Sequence, residues 1–231
     1  MVVPNIVVVG GSAGGVEALS ALFWNMPSTV PNAFFVALHV PPRTRSRLPS
    51  ILNRAGRLTA EHPSDGQKIR PGWIYVAPPD FHLLVGKGVV RLGHGPKECH
   101  VRPAINPLFR SAAQVYGQRV IGVVLSGVLD DGVEDLREIK RRGGLAIVQA
   151  PNDASFACLP QHALDRVEID YCLPVAQIRD LIARLPELSL SKKVTHAIPA
   201  AVGVPTDLNG GLIAFRSSLV VEPKMSWLTL A

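Results

Sequence analysis

The sequence predicts an α/β domain: a doubly wound, mostly parallel sheet with helices on both faces and an antiparallel hairpin excursion. Three observations carry that expectation. Short continuous apolar runs rich in valine and isoleucine, such as IVVV at 6–9 and VIGVVL at 120–125, have the length and composition of strands buried on both faces. Segments with apolar residues at helical spacing alternate with them, the rhythm of βα units. One stretch, residues 58–95, breaks the rhythm with dense glycine and proline.

In chain order, residues 5–9 read as the first strand, and residues 14–24 as a helix whose Val16, Leu19, Leu22 and Phe23 fall on one face. NAFFVALHV is a second buried strand. RSRLPSILNRAG contains a helix that starts at or after Pro49 and ends near Gly56. Residues 58–95 read as antiparallel hairpins inserted in the α/β frame, the kind of excursion that often walls a cleft. The alternation then resumes with INPLFRSAAQVYG as helix, RVIGVVLSG as strand, DGVEDLREIKRRGG as helix and LAIVQA as strand. PQHALDRV and VAQIRDLIARL follow as helices. Residues 1–186 are therefore expected to form one domain. Residues 187–231 lose the pattern and read as a C-terminal extension: a linker, a tail or extra strands.

A chain of 231 residues with 47% hydrophobic content has ample material for a core. Its net charge of +6 is spread over single and paired residues such as Lys97, Arg141 and Lys192, with few aromatics among them. That pattern argues against a nucleic-acid surface and leaves room for an acidic protein partner. The three cysteines, Cys99, Cys158 and Cys172, lack metal-ligand spacing and are odd in number, so neither a zinc site nor a disulfide framework is expected. No cofactor is implied either. With neither a signal peptide nor an apolar run long enough to span a bilayer, the expected setting is the cytoplasm without membrane insertion.

VVVGGSAGGVEAL at 7–19 places a glycine-rich turn between the first strand and the first helix. A dinucleotide fingerprint needs glycine where Ser12 stands and an acidic residue at the end of the second strand, where the sequence offers His39. Gly10 to Gly14 instead fits G-x-S-x-G, whose small flanking residues allow a sharp turn that exposes the serine hydroxyl beside a helix N-terminus. The alternative is a glycine-rich turn whose serine merely caps the helix. A serine nucleophile needs a base, and the base needs an orienting carboxylate. His39 ends the second strand, while Asp130 and Asp131 follow the strand at 119–127. All fall at the carboxyl ends of predicted parallel strands, where α/β sheets build their sites. The order Ser, His, Asp and an elbow after the first strand both differ from the α/β-hydrolase pattern.

Six blocks in register, VVVGGSAGGVEAL, ALHVPP, DGQKIRPGWIYVAPPDFHLLV, VRPAINPLFRSAA, GVVLSGVLDDGVEDL and ASFACLP, resemble the catalytic domain of CheB-type protein-glutamate methylesterases over about residues 5–185. The resemblance implies a doubly wound α/β fold, hydrolysis of glutamate γ-methyl esters on the cytoplasmic helices of chemoreceptors, and in many members deamidation of glutamine. It implies Ser12 as nucleophile, His39 as general base and Asp131 as the acidic member. It also implies the Val128 backbone N–H as oxyanion donor, Ala13 beside the nucleophile, and Arg102 as a site-lining residue that orients substrate, against a purely structural arginine.

Departures from the family pattern accompany the likeness. Leu129 replaces a glycine beside the oxyanion donor and is expected either to narrow the site or to alter that turn. Asp130 often corresponds to asparagine and is expected to add a second carboxylate near His39, Ala13 replaces serine or threonine, and CLP stands for GMP. Family members in chemotaxis commonly carry an N-terminal receiver domain, for which the start of the first strand near Asn5 leaves no room in this sequence; control is then expected from the tail or from a separate regulatory partner. Two rivals to the esterase follow: a catalytically weakened binding domain in a receptor signalling system, and a nucleotide-binding module.

Overall fold

Two strands buried at every position form the centre of the protein: β1 (Ile6–Gly11) and β2 (Ala33–Leu38). They carry no charged side chain, so burial on both faces leaves only backbone polar groups to satisfy, and the parallel ladder between them does so. The structure, a computed structural model, describes residues 5–43 and 45–191. The extension expected at 187–231 lies outside the described residues from position 192 onward.

Between and after these strands come α1 (Gly15–Phe23) and α2 (Leu48–Ala55), then β3 (Thr59–Glu61), β4 (Trp73–Val76), β5 (His82–Val85) and β6 (Val90–Gly93). The second half supplies α3 (Ile105–Tyr116), β7 (Val120–Val124), α4 (Val133–Arg141), β8 (Leu145–Gln149), α5 (Cys158–Arg166), β9 (Tyr171–Leu173) and α6 (Val175–Ser191). Seven strands form one parallel sheet in the order β3-β4-β2-β1-β7-β8-β9. The chain first builds outward from β1 on one side, then returns to lay β7 against the other. The crevice above β1 and β7 is thus the topological switch point where such sheets hold ligands.

Alternation along the strands divides the core in two. Ile6 and Val8 of β1 join Phe35, Tyr75 and Val124 under α3, α4 and α5, against Leu108, Phe109, Leu136 and Leu159. Val7 and Val9 join Phe34, Val36 and Val123 under α1, α2 and α6, against Leu19, Phe23, Leu52 and Ile178. Each such fully buried side chain contributes roughly 1.5–3 kcal/mol. Phe23 meets Phe34 edge-on at 5.2 Å, tying α1 to β2.

The excursion differs in part from expectation. Only β5 and β6 form an antiparallel hairpin, whereas β3 and β4 are parallel strands of the main sheet, β4 pairing with β2. The apolar WIYV run of β4 is long enough to be buried against β2, and residues 62–72 are the crossover back to it. The glycines of that crossover mimic hairpin turns because its backbone does pair with the hairpin: Gly66 donates to the Val90 carbonyl at 2.9 Å and Val90 to that of Gln67 at 2.7 Å. The edge strand β9 was not expected. It has three residues, two of them exposed, and so shows no core-facing pattern. No helix among the described residues is long and apolar enough to cross a membrane.

Candidate active site

The turn from β1 into α1 brings Ser12 to the carboxyl edge of the sheet. Gly14 adopts φ +70°, the left-handed region that glycine enters without a Cβ clash, and its carbonyl accepts the Ala18 N–H at 3.2 Å to begin the helix. Gly14 holds the N-cap position, and no side chain, that of Ser12 included, caps the helix. The Ser12 hydroxyl lies 3.1 Å from His39 Nδ1 instead. Beneath the turn, Ser126 is 1% exposed. Its hydroxyl donates to the Ala13 carbonyl at 2.8 Å and accepts the Phe156 N–H at 2.9 Å, while its own carbonyl accepts the Ser12 N–H at 3.0 Å. Ser126 is the buttress of the elbow. Sequence reasoning missed it, although its place in LSG, after an apolar strand, marks a buried hydroxyl that needs partners.

His39 leaves the end of β2 with its backbone N–H on the Gly11 carbonyl at 3.3 Å, which holds the imidazole over the elbow. Its Nε2 lies 2.7 Å from Asp131 Oδ2. Asp131, 1% exposed, also accepts the backbone N–H groups of Ile105 at 2.6 Å and Asn106 at 3.1 Å. These open the first turn of α3, so the positive end of a helix faces the carboxylate. Asn106 Oδ1 in turn accepts the Gly132 N–H at 2.9 Å, locking the Asp131 loop to the same helix end. Gly10 permits the close approach: a Cβ there would stand 2.4 Å from Ile105 Cγ2. Since a carboxylate only accepts, His39 carries its proton on Nε2 and presents the Nδ1 lone pair to the Ser12 hydroxyl.

Among the described residues, no acceptor takes the N–H of Ala13 or of Val128, the two groups that flank Ser12 in the elbow and the loop after β7. Leu129 occupies φ +65° and is 60% exposed. Asp130 turns to Arg166 at 2.9 Å, so the second carboxylate expected near His39 is paired with α5.

Arg102 is only 13% exposed and fully engaged. Its Nε and Nη2 reach Asp80 Oδ1 at 3.0 and 2.7 Å, and Nη1 donates to the Gly95 carbonyl. These contacts hold the Asp80 carboxyl below the usual carboxylate range, with His94 adding to the effect. Arg102 thereby straps the segment after the hairpin to the residues leading into α3, and none of its hydrogen bonds goes to Ser12, His39 or Asp131. Beside it, burial pushes the Cys99 thiol up to about 11, with the charges of Asp131 and Asp130 reinforcing the shift. That thiol is no nucleophile near neutrality.

A doubly wound α/β domain with serine, histidine and aspartate hydrogen-bonded in series at its switch point has the architecture of a serine hydrolase. The family model of CheB methylesterase matches residues 7–182, and the chain belongs to that family. A Leptospira interrogans protein named "Putative protein-glutamate methylesterase/protein-glutamine glutaminase" is 32% identical over 188 residues, covering 81% of this chain and 97% of that one. A protein-glutamate methylesterase/protein-glutamine glutaminase of Methanosarcina mazei is also 32% identical, over 79% of this chain. The chain spans 52% of that relative's length. The crystal structure of the Thermotoga maritima CheB methylesterase catalytic domain superposes with a TM-score of 0.76 at 31% identity, covering 80% of this chain and all of that one.

Proposed function

We propose that the protein hydrolyses glutamate γ-methyl esters on methyl-accepting, chemoreceptor-like proteins in the cytoplasm, and deamidates glutamine by the same route. The observation that carries this reading is the imidazole of His39 bridging Ser12 Oγ and Asp131 Oδ2 at 3.1 and 2.7 Å. As the Ser12 oxygen attacks the ester carbonyl, its proton passes to His39 Nδ1, and the imidazolium is stabilised by Asp131. The N–H groups of Ala13 and Val128 receive the oxyanion. Collapse of the tetrahedral intermediate breaks the C–OCH3 bond, and His39 returns the proton to the departing methoxide, giving methanol and a glutamyl-serine ester. Water, deprotonated by the same nitrogen, then releases the glutamate carboxylate and restores Ser12. With glutamine the leaving group is ammonia.

The supported roles are Ser12 as nucleophile, His39 as base and Asp131 as its orienting partner. Arg102, committed to Asp80, supports the site's wall rather than clamping substrate. The deciding experiment is methanol release from methylated receptor cytoplasmic fragments. Ser12→Ala and His39→Ala are each expected to lose at least about a thousandfold in kcat while melting as the parent protein does. A folded Ser12→Ala variant that releases methanol at the parent rate overturns the proposal.

A further inference from the structure

The loop between β7 and α4 keeps a bulky residue in a conformation that suits glycine. Leu129 has φ +65°, where an L side chain crowds its own backbone, and at 60% exposure its side chain gains little burial in return. Something outside the residue must hold it. Helix α5 supplies the restraint along its length: His162 Nδ1 lies 2.8 Å from the Leu129 carbonyl oxygen, and Arg166 in the last turn pairs with Asp130 at 2.9 Å. A carbonyl oxygen only accepts, so the His162 proton sits on Nδ1. Cys158 Sγ, 3.9 Å from both ring nitrogens, lies against the same ring one turn earlier in α5. α5 is itself fixed to the loop, since Leu159 N–H donates to the Gly127 carbonyl at 2.9 Å.

We propose that His162 is a positioning residue for the oxyanion-binding backbone: by holding the Leu129 carbonyl it keeps the preceding Val128 N–H aimed at the ester carbonyl of substrate. The inference rests on the reading of Val128 as an oxyanion donor. His162 touches no reacting atom, and its effect belongs to the transition state, in which the oxyanion exists, rather than to substrate binding.

The test is kinetic and uses three substitutions at one position. His162→Ala should lower kcat about three- to tenfold, the net worth of one hydrogen bond, with KM within about twofold of the parent. His162→Asn, whose amide nitrogen falls where Nδ1 stood, should recover most of that loss; His162→Gln, whose amide reaches the Nε2 position, should not. In a Leu129→Gly background the His162→Ala penalty should largely vanish, because glycine adopts φ +65° without the steric cost that His162 offsets for leucine. Equal losses for Ala, Asn and Gln, or a penalty unchanged by Leu129→Gly, overturn the inference and leave the esterase reading standing. If the parent protein itself shows no Ser12-dependent release, the esterase reading fails, and the brace is then judged from ring-nitrogen NMR shifts of His162. A proton on Nδ1 in the folded protein supports it; a proton on Nε2 alone overturns it.

Discussion

The two loops that build the site reach similar backbone conformations by opposite means. The elbow after β1 puts Gly14 at φ +70°, which glycine adopts without steric cost, so its neighbour Ser126 braces an unstrained turn. The loop after β7 puts Leu129 at φ +65°, and its shape is imposed by α5 through His162 and Arg166. In the proposed mechanism the first loop carries Ser12, whose oxygen must sit in one place for attack, and the second carries Val128, whose N–H must only point at the product of that attack. Conformation written into the residue tolerates little change, whereas conformation held by neighbours can be loosened or relieved one contact at a time.

Breaking the intrinsic loop should have the largest effect. A Cβ on Gly14 would stand 2.6 Å from Ser126 Oγ and 2.9 Å from Ser155 Cβ, in a backbone region alanine avoids. Gly14→Ala is therefore expected to destabilise by about 2–4 kcal/mol and to displace Ser12 enough to abolish most activity. Chemical denaturation with a parallel methanol-release assay checks both. An Ala variant with parent stability would show that the elbow is looser than its contacts imply.

The same contrast governs what the sequence could reveal. The elbow was legible because its constraint is local: G-x-S-x-G names the turn and the exposed serine together. His39 and Asp131 were legible as strand-end residues, and the likeness to known enzymes assigned their roles. Ser126, Asn106 and His162 were not, since each acts through a partner far along the chain, and a lone serine, asparagine or histidine has no periodicity to betray it. Arg102 was found by its motif but not its bonding, because its partner Asp80 lies in a turn whose side-chain direction only the fold decides. The parallel pairing of β3 and β4 was hidden for a related reason: a glycine-rich crossover and a hairpin turn have the same composition.

The helix that follows the second loop, α4, buries a carboxyl. Asp135, buried in its first turn, pairs with Arg110 at 2.9 Å, and Arg110 also holds Glu98. Burial pushes the Asp135 carboxyl up to about 6 despite Arg110, with the charges of Glu98 and Asp131 adding to the rise. A carboxyl whose folded value lies above its unfolded value binds its proton more tightly in the folded state. Its contribution to stability is thus greatest below about pH 4 and is lost as pH rises through about 6. Asp135→Asn removes that dependence. The stability difference between parent and variant should shift against the parent by about 1–2 kcal/mol from pH 4 to pH 7, read from urea denaturation at each pH. A difference that stays flat with pH would mean that Arg110 compensates the burial fully.

The smallest expected effect isolates Leu129 itself. Left-handed backbone costs a leucine about 1–2 kcal/mol, and glycine gives back about 0.5–1 of that through its looser unfolded chain. With the side chain 60% exposed, little burial is forfeited. Leu129→Gly should therefore stabilise by about 0.5–1 kcal/mol, a rise in Tm of about 1–4 °C. Leu129→Ala is the control, because it removes the same exposed surface but keeps the Cβ that clashes. A gain for glycine and none for alanine assigns the cost to backbone conformation, held in place by α5. Equal gains would assign it to the exposed apolar side chain, and the two loops would then differ in surface rather than in how their shape is held.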